Sequence, residues 1–173
     1  ASTFIEGESN FITTQFYTVA QSPPSFAKDF ILGGTQDNGT YRFDTPSTSP
    51  SSAIETPPGG DGAYTFFNQV GKNYAIANYI YNDAITKLNF NASGQYTGST
   101  DLTSTIPASE GSFINPAALD SNQDVYFSNG TPDGTTNYRI RVVKGLMGTP
   151  SLDLITGITS RPTALEVSPY ETS

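Results

Sequence analysis

The chain has 173 residues, enough for one well-buried domain, and carries a net charge of −8. That acidic field repels phosphate backbones and disfavours nucleic-acid binding. With no Cys and no His, the sequence excludes thiol chemistry, disulfides, thiolate metal sites and the Ser-His-Asp arrangement. No apolar run approaches the roughly 20 residues that a membrane helix needs. Apolar residues make up 35% of the chain and include 10 Tyr and 11 Phe, beside 16 Gly and 12 Pro. Aromatic residues suit a pleated, half-buried surface, and Gly and Pro suit tight turns, so strands are expected rather than long helices.

In chain order, Thr3-Phe4-Ile5-Glu6 reads as a short strand whose own unit lies upstream of Ala1. A first full unit follows. Its strands are Gln15 to Ala20, Phe30 to Gly34, Thr40 to Phe43 and Ala53 to Glu55. The Asp37-Asn38-Gly39 turn joins the middle two, and its Asn-Gly pair tolerates the positive φ angles of a tight hairpin. The second unit runs through Ala63 to Phe67, Tyr74 to Tyr79, Ala84 to Phe90 and a weak fourth strand at Asp101-Leu102-Thr103. The third runs through Asn115 to Leu119, Val125 to Ser128, Tyr138 to Val142 and Leu152 to Ile155. Clean alternation in Tyr138-Arg139-Ile140-Arg141-Val142 places Arg139 and Arg141 together on an exposed face. Pro162 to Val167 then restarts the pattern, and Ser168-Pro169 repeats the Ser22-Pro23 turn.

The inner strands recur about every 48 residues, a blade-length repeat. Four short antiparallel strands per unit, repeated, indicate an all-β propeller segment, with a β-sandwich as the rival arrangement. Blades are expected at residues 13–56, 62–104 and 113–157 of a single partial domain over residues 1–173, with orphan strands at 3–6 and 162–168. Propellers close with about four to eight blades, so the remainder of the ring is expected from further polypeptide or another chain.

The stretch Gly33-Gly34-Thr35-Gln36-Asp37-Asn38-Gly39-Thr40-Tyr41-Arg42 resembles an element of the sialidase-like, BNR-repeat propellers. That group includes sialidases, xyloglucanases, sortilin-type receptors and many secreted bacterial proteins. Gly59-Gly60-Asp61-Gly62 and Arg161-Pro162-Thr163-Ala164 are similar to its blade-to-blade passages. The chain departs from the family in lacking a full Asp-box and any Trp. The resemblance implies an extracellular module that binds glycan or protein. The alternative it implies is part of a glycoside hydrolase whose second carboxylate lies outside this chain. The Cys-free, Lys-poor, Thr/Ser/Asn-rich composition agrees with a secreted or cell-surface bacterial β protein.

By resemblance Asp37 is the catalytic candidate, although a hairpin aspartate also serves simply to accept backbone N–H bonds. Residues at the entry of each inner strand should face a shared central space, which makes Gln15, Asp61, Asn115 and Arg161 the candidate binding set. Asp120-Ser121-Asn122-Gln123-Asp124 places oxygen donors at Asp120, Asn122 and Asp124, as calcium loops do, and a plain turn is its other reading. No other cofactor is implied. Tyr64, Tyr79, Tyr81 and Tyr96 are candidate stacking faces for sugars, or core residues.

Overall fold

The computed structural model describes residues 14–44, 53–103, 111–130 and 138–168. Among these the chain is all β, in three four-stranded antiparallel sheets, each a simple meander. The first sheet contains β1 (Phe16–Gln21), β2 (Phe30–Thr35), β3 (Gly39–Asp44) and β4 (Ala53–Thr56). The second contains β5 (Gly62–Phe67), β6 (Tyr74–Tyr79), β7 (Ile85–Phe90) and β8 (Tyr96–Asp101). The third contains β9 (Ala117–Asp120), β10 (Val125–Gly130), β11 (Tyr138–Lys144) and β12 (Ser151–Ile158). Among the described residues the one complete helical element is a 3-10 turn, Ile80–Asn82. The repeat, the blade order and the antiparallel pairing expected from sequence are all present.

The sheets stack face to face, with the inner strands adjacent: β5 lies against β1 and β2, and touches β9. Strand alternation gives each sheet a forward face, turned to the next sheet, and a rear face. Along β2 the forward residues are Phe30, Leu32 and Gly34; along β6 they are Tyr74, Ile76 and Asn78; along β10 they are Val125, Phe127 and Asn129. Both faces of the second sheet are covered, so β6 is buried from Tyr74 through Asn78. This explains why the sequence of β7 alternates imperfectly. Ile85 packs toward the third sheet while Leu88 and Phe90 pack toward the first, and neither side needs polar residues.

Between the first two sheets lies a core of Phe26, Phe30, Leu32, Phe67, Leu88 and Phe90 around Ala75 and Ala77. Phe26 meets Phe30, Phe67 and Phe90 edge-on at centroid distances of 5.9, 5.6 and 5.2 Å, the preferred geometry for ring quadrupoles. At the other end the same two sheets meet backbone to backbone. A Cβ on Gly34 would overlap the Ala63 carbonyl oxygen and lie 2.8 Å from its nitrogen. Thr18 Oγ1 exploits that proximity, donating to Ala63 O at 2.8 Å and accepting from Thr65 N at 3.1 Å. The second interface joins Tyr74, Ile76, Ile85 and Leu102 to Ala117, Tyr126, Val143 and Leu146.

Two sequence expectations are corrected. The fourth strand of the second unit is β8, Tyr96–Asp101, and not Asp101-Leu102-Thr103. Asn91 Oδ1 accepts from Ser93 N and Gln95 N at 3.0 and 2.9 Å, and Gly94 has φ 72°, so a short turn launches the strand early. Leu102 leaves the strand to enter the core, fully buried. Arg139 and Arg141 do not share an exposed face. Arg141 is fully buried on the face it shares with Ser128, which is turned toward the second sheet, and Arg139 is half-buried. Alternation identifies which residues share a face, but in a stacked sheet it does not identify a wet one. The expected strand at residues 3–6 lies outside the described residues. Residues 162–168 follow the third sheet without ladder pairing.

The backbone contact at Gly34 yields a direct test. Gly34→Ala should cost about 3 kcal/mol or more in denaturant unfolding, because the clash is with main chain that cannot swing aside. Gly148→Ala, where an added Cβ meets nothing within 4 Å, should stay within about 0.5 kcal/mol of the parent.

The second core predicts alkaline sensitivity. Burial, with the nearby Asp124 carboxylate, pushes the Tyr74 hydroxyl far above its ordinary range despite an opposing hydrogen bond from Asn68, and burial, helped by Tyr64, does the same to Tyr126. Unfolded tyrosines release their protons near pH 10 while these two keep theirs, so the unfolded state binds fewer protons. Stability should therefore hold below about pH 10 and then fall by roughly 2.7 kcal/mol per pH unit. Urea titrations between pH 8 and 11 measure the slope. Among the described residues the Tyr126 hydroxyl has no hydrogen-bond partner, so Tyr126→Phe should halve the slope without loss of stability at pH 7.

Candidate functional site

The chemistry-bearing side chains collect at the end where the inner strands begin. Gln15 precedes β1, and its carbonyl accepts from Gln36 N at 2.9 Å, fixing the tip of the β2–β3 hairpin beside it. Asp37 sits at that tip with φ 58°, a left-handed conformation that Asp adopts more readily than most residues. Its N–H donates to Asp61 Oδ1 at 2.8 Å, and Gly39 N donates to the Gly60 carbonyl. The passage from the first sheet to the second is thus tied to the hairpin, with the Asp61 carboxylate seated on the Asp37 main chain. Thr14, Gln15, Gln36 and Asp37 line an open depression of ≈ 450 Å³.

Aromatic rings border the carboxylates. Tyr17 meets Phe113 edge-on at 6.0 Å, and Phe113 meets Tyr81 at 5.6 Å. Phe113 and Tyr81 are each 41% exposed. Tyr81 is held out by its backbone: its φ is 55° and that of Asn82 is 58°, two successive left-handed residues. Tyr81 N donates to the carbonyls of Ser112 and Phe113, each at 3.2 Å. Partial desolvation, with the Asp61 and Asp37 carboxylates, raises the Tyr17 hydroxyl above its ordinary range.

Of the candidate binding set, Gln15 and Asp61 converge here together with Asp37. Asn115 does not face open space. It is fully buried, with Nδ2 donating to Asn129 O at 2.6 Å and Oδ1 accepting from Ser112 N at 2.8 Å, so it shapes the loop carrying Phe113. It belongs to a buried amide network in which Asn82 Nδ2 also reaches Asn129 O at 2.6 Å, and Asn78 Oδ1 accepts from Tyr64 N at 2.7 Å. Arg161 is exposed and lies beyond the third sheet. Of the four candidate stacking tyrosines, Tyr81 stands at the site. Tyr64 stacks on Phe66 at 5.9 Å, Tyr79 covers Gly60, and Tyr96 lies beside Phe90 and the Arg42 guanidinium.

Sequence reasoning passed over Tyr17, Gln36 and Phe113. Tyr17 read as one strand aromatic among several, and Phe113 stands in a loop whose course depends on the Asn115 contacts.

The candidate calcium loop lies at the opposite end of the sheets and clamps two of them together. Asp120 Oδ1 accepts from Asn122 N at 3.0 Å and Gln123 N at 3.1 Å, while the Asn122 side chain is exposed. Asp124 is aimed elsewhere: its carboxylate pairs with Lys72 and accepts from Tyr74 Oη at 2.9 Å. Ser121 adds bonds from Asn68 and Gln69 at 3.1 and 2.9 Å. Among the described residues no group of three or more acidic side chains is placed to hold a metal ion.

The chain matches no protein-family model, no curated protein and no solved structure. The class that its own geometry defines is an all-β repeat protein of propeller-like stacked sheets.

Asp124 has φ 56°, which Asn tolerates, so Asp124→Asn removes charge while sparing the backbone. The variant should lose about 1–3 kcal/mol in chemical denaturation as the charged bonds to Lys72 and Tyr74 weaken. Millimolar calcium should leave the melting temperature of the parent chain unchanged.

Proposed function

We propose that the chain is an extracellular, sialidase-like propeller module that binds carbohydrate, without hydrolysing it, at the inner-strand end. The observation that carries this reading is the exposed Phe113 and Tyr81 pair, continued by the half-buried Tyr17, near the Asp37 and Asp61 carboxylates. Sugars present apolar C–H faces that stack on aromatic rings and hydroxyls that donate to carboxylates and amides. Gln15 and Gln36 add amides at the rim of the depression. The two carboxylates favour neutral sugars over anionic sialosides, as does the absence of an arginine cluster at this end. The secreted location is supported by the Cys-free, Ser/Thr/Asn-rich composition.

A second reading, glycoside hydrolysis, draws on the pairing of Asp37 with Asp61. Retaining and inverting enzymes both use two carboxyl groups, about 5–10 Å apart. Here Asp61 is engaged in capping the Asp37 backbone, which favours a structural role for the pair. Calorimetric titration with neutral β-glucan oligosaccharides should give saturable binding that Tyr81→Ala weakens at least about tenfold, a loss of roughly 1.4 kcal/mol. Unchanged affinity in Tyr81→Ala would reject the site. Release of reducing sugar that Asp37→Asn abolishes would replace binding with hydrolysis.

A further inference from the structure

We infer that Asn82 and Asn115 are positioning residues that lock Tyr81 and Phe113 into a single aromatic unit, coupled through one main-chain oxygen, that of Asn129. Their service to a ligand rests on the carbohydrate reading of this site, whereas the coupling itself can be measured without any ligand. The groups involved belong to the second and third sheets and the loop that enters β9.

The coupling begins with a proline. Asn129 N–H donates to Pro116 O at 3.0 Å, one step beyond the ladder pair Ser128 and Ala117. Such an antiparallel pair ordinarily exchanges two bonds, but Pro116 has no N–H to return. Two side-chain amides take its place on Asn129 O. Asn82 Nδ2 and Asn115 Nδ2 each donate to it at 2.6 Å, and a carbonyl oxygen has two lone pairs to offer. Asn82, Asn115 and Asn129 are all fully buried, so an amide that lost this bond would be left unpaired at a substantial cost.

Each amide holds one ring. Asn82 anchors the pair of left-handed residues, Tyr81 at φ 55° and Asn82 at φ 58°, a conformation that a bulky Tyr keeps only when its surroundings enforce it. Asn115 Oδ1 accepts from Ser112 N at 2.8 Å and so sets the course of the loop at Phe113. The two segments then meet directly, because Tyr81 N donates to the Ser112 and Phe113 carbonyls. They also meet without slack: a Cβ on Gly111 would lie 2.7 Å from Asn115 Oδ1 and 3.1 Å from the Tyr81 carbonyl carbon. Loss of either amide from Asn129 O therefore releases both rings, and a ligand spanning the intact pair finds them already in place.

Hydrogen exchange followed by NMR reads the coupling in the parent chain, where the Tyr81 and Ser112 amides should open together, with protection equal within about threefold. Asn82→Gly keeps the positive φ and removes the amide. It should speed exchange at Ser112, in the other loop, by about tenfold or more, while Leu146 N–H, bonded to Asp124 O at the far end, keeps its rate. Pro116→Ala supplies the missing N–H while sparing both amides and both rings, and should speed exchange at Tyr81 and Ser112 alike. In calorimetry, Asn82→Gly should weaken binding of β-glucan oligosaccharides when Tyr81 is present and add nothing in the Tyr81→Ala background. Unequal protection of Tyr81 and Ser112 in the parent, or an Asn82→Gly effect confined to its own loop, would overturn the inference. So would unchanged exchange at both amides in Pro116→Ala, or a binding loss that adds in full to that of Tyr81→Ala. Coupled exchange in a parent chain that binds no oligosaccharide would support the coupling and reject the carbohydrate reading alone.

Discussion

The stack depends on how closely the first two sheets approach at the inner-strand end. Gly34 on β2 faces Ala63 on β5, and Gly62 faces both Gly34 and the Gly39 carbonyl, with no room for a side chain between. This contact brings Thr18 within reach of Ala63 and Thr65. The sheets are then joined by hydrogen bonds that in a wider sandwich would go to water. At the far end the gap opens to admit Phe26, Phe30, Phe67 and Phe90. A glycine end and an aromatic end define a wedge, and a wedge repeated turns successive sheets about a common direction. Propeller-like geometry thus follows from residue size along two facing strands.

The second interface solves the same problem with different chemistry. Where Gly34 stood, β6 places Asn78, and a buried amide network replaces bare backbone contact. Such networks tolerate few alternatives, because each buried amide left unpaired carries a desolvation cost of about 1–3 kcal/mol. At the opposite end, Asp124, Lys72 and Tyr74 lock the turn of one sheet to the loop of the other. One interface is therefore specified by shape and the other by polar pairing, and the second sheet must satisfy both. Its two-sided burial makes it the chain's rigid middle.

The repeat was legible because each unit carries an apolar second strand and a turn with recognisable chemistry, such as Asp37-Asn38-Gly39. What was not legible depended on which face of a sheet is covered. Arg141 sits in a clean alternating strand, yet stacking buries it, and no local pattern separates that case from an edge sheet. The early start of β8 could have been found from Asn91 and Gly94, which form a turn of ordinary composition. At the candidate site, Gln15 and Asp61 could be located because repeat position places the inner-strand entries together, and Asp37 because its hairpin resembles one in the sialidase-like propellers. Asn115 occupies an equivalent position in sequence but turns inward, since Asn129 O and Ser112 N supply the bonds that its amide needs. Tyr81 and Phe113 owe their exposure to backbone conformation and to that buried amide, and both are products of tertiary structure.

On the proposed carbohydrate-binding reading, the two ends of the stack divide the labour between stability and recognition. The far end holds the phenylalanine core and the Asp124 clamp, with its polar groups turned upon each other. The near end is also rigid, through Gly34, the Asp61 cap and the amide network, but its rigidity comes from backbone contacts and buried amides. Fixing a loop by its main chain leaves its side chains uncommitted. Asp37, Gln36, Tyr81 and Phe113 can therefore face solvent without being needed to hold the fold. A preorganised surface of that kind orders few rotamers when a ligand arrives, which removes part of the entropic cost that weakens binding on mobile loops. The close backbone approach that shapes the wedge is also what leaves the side chains at this end uncommitted.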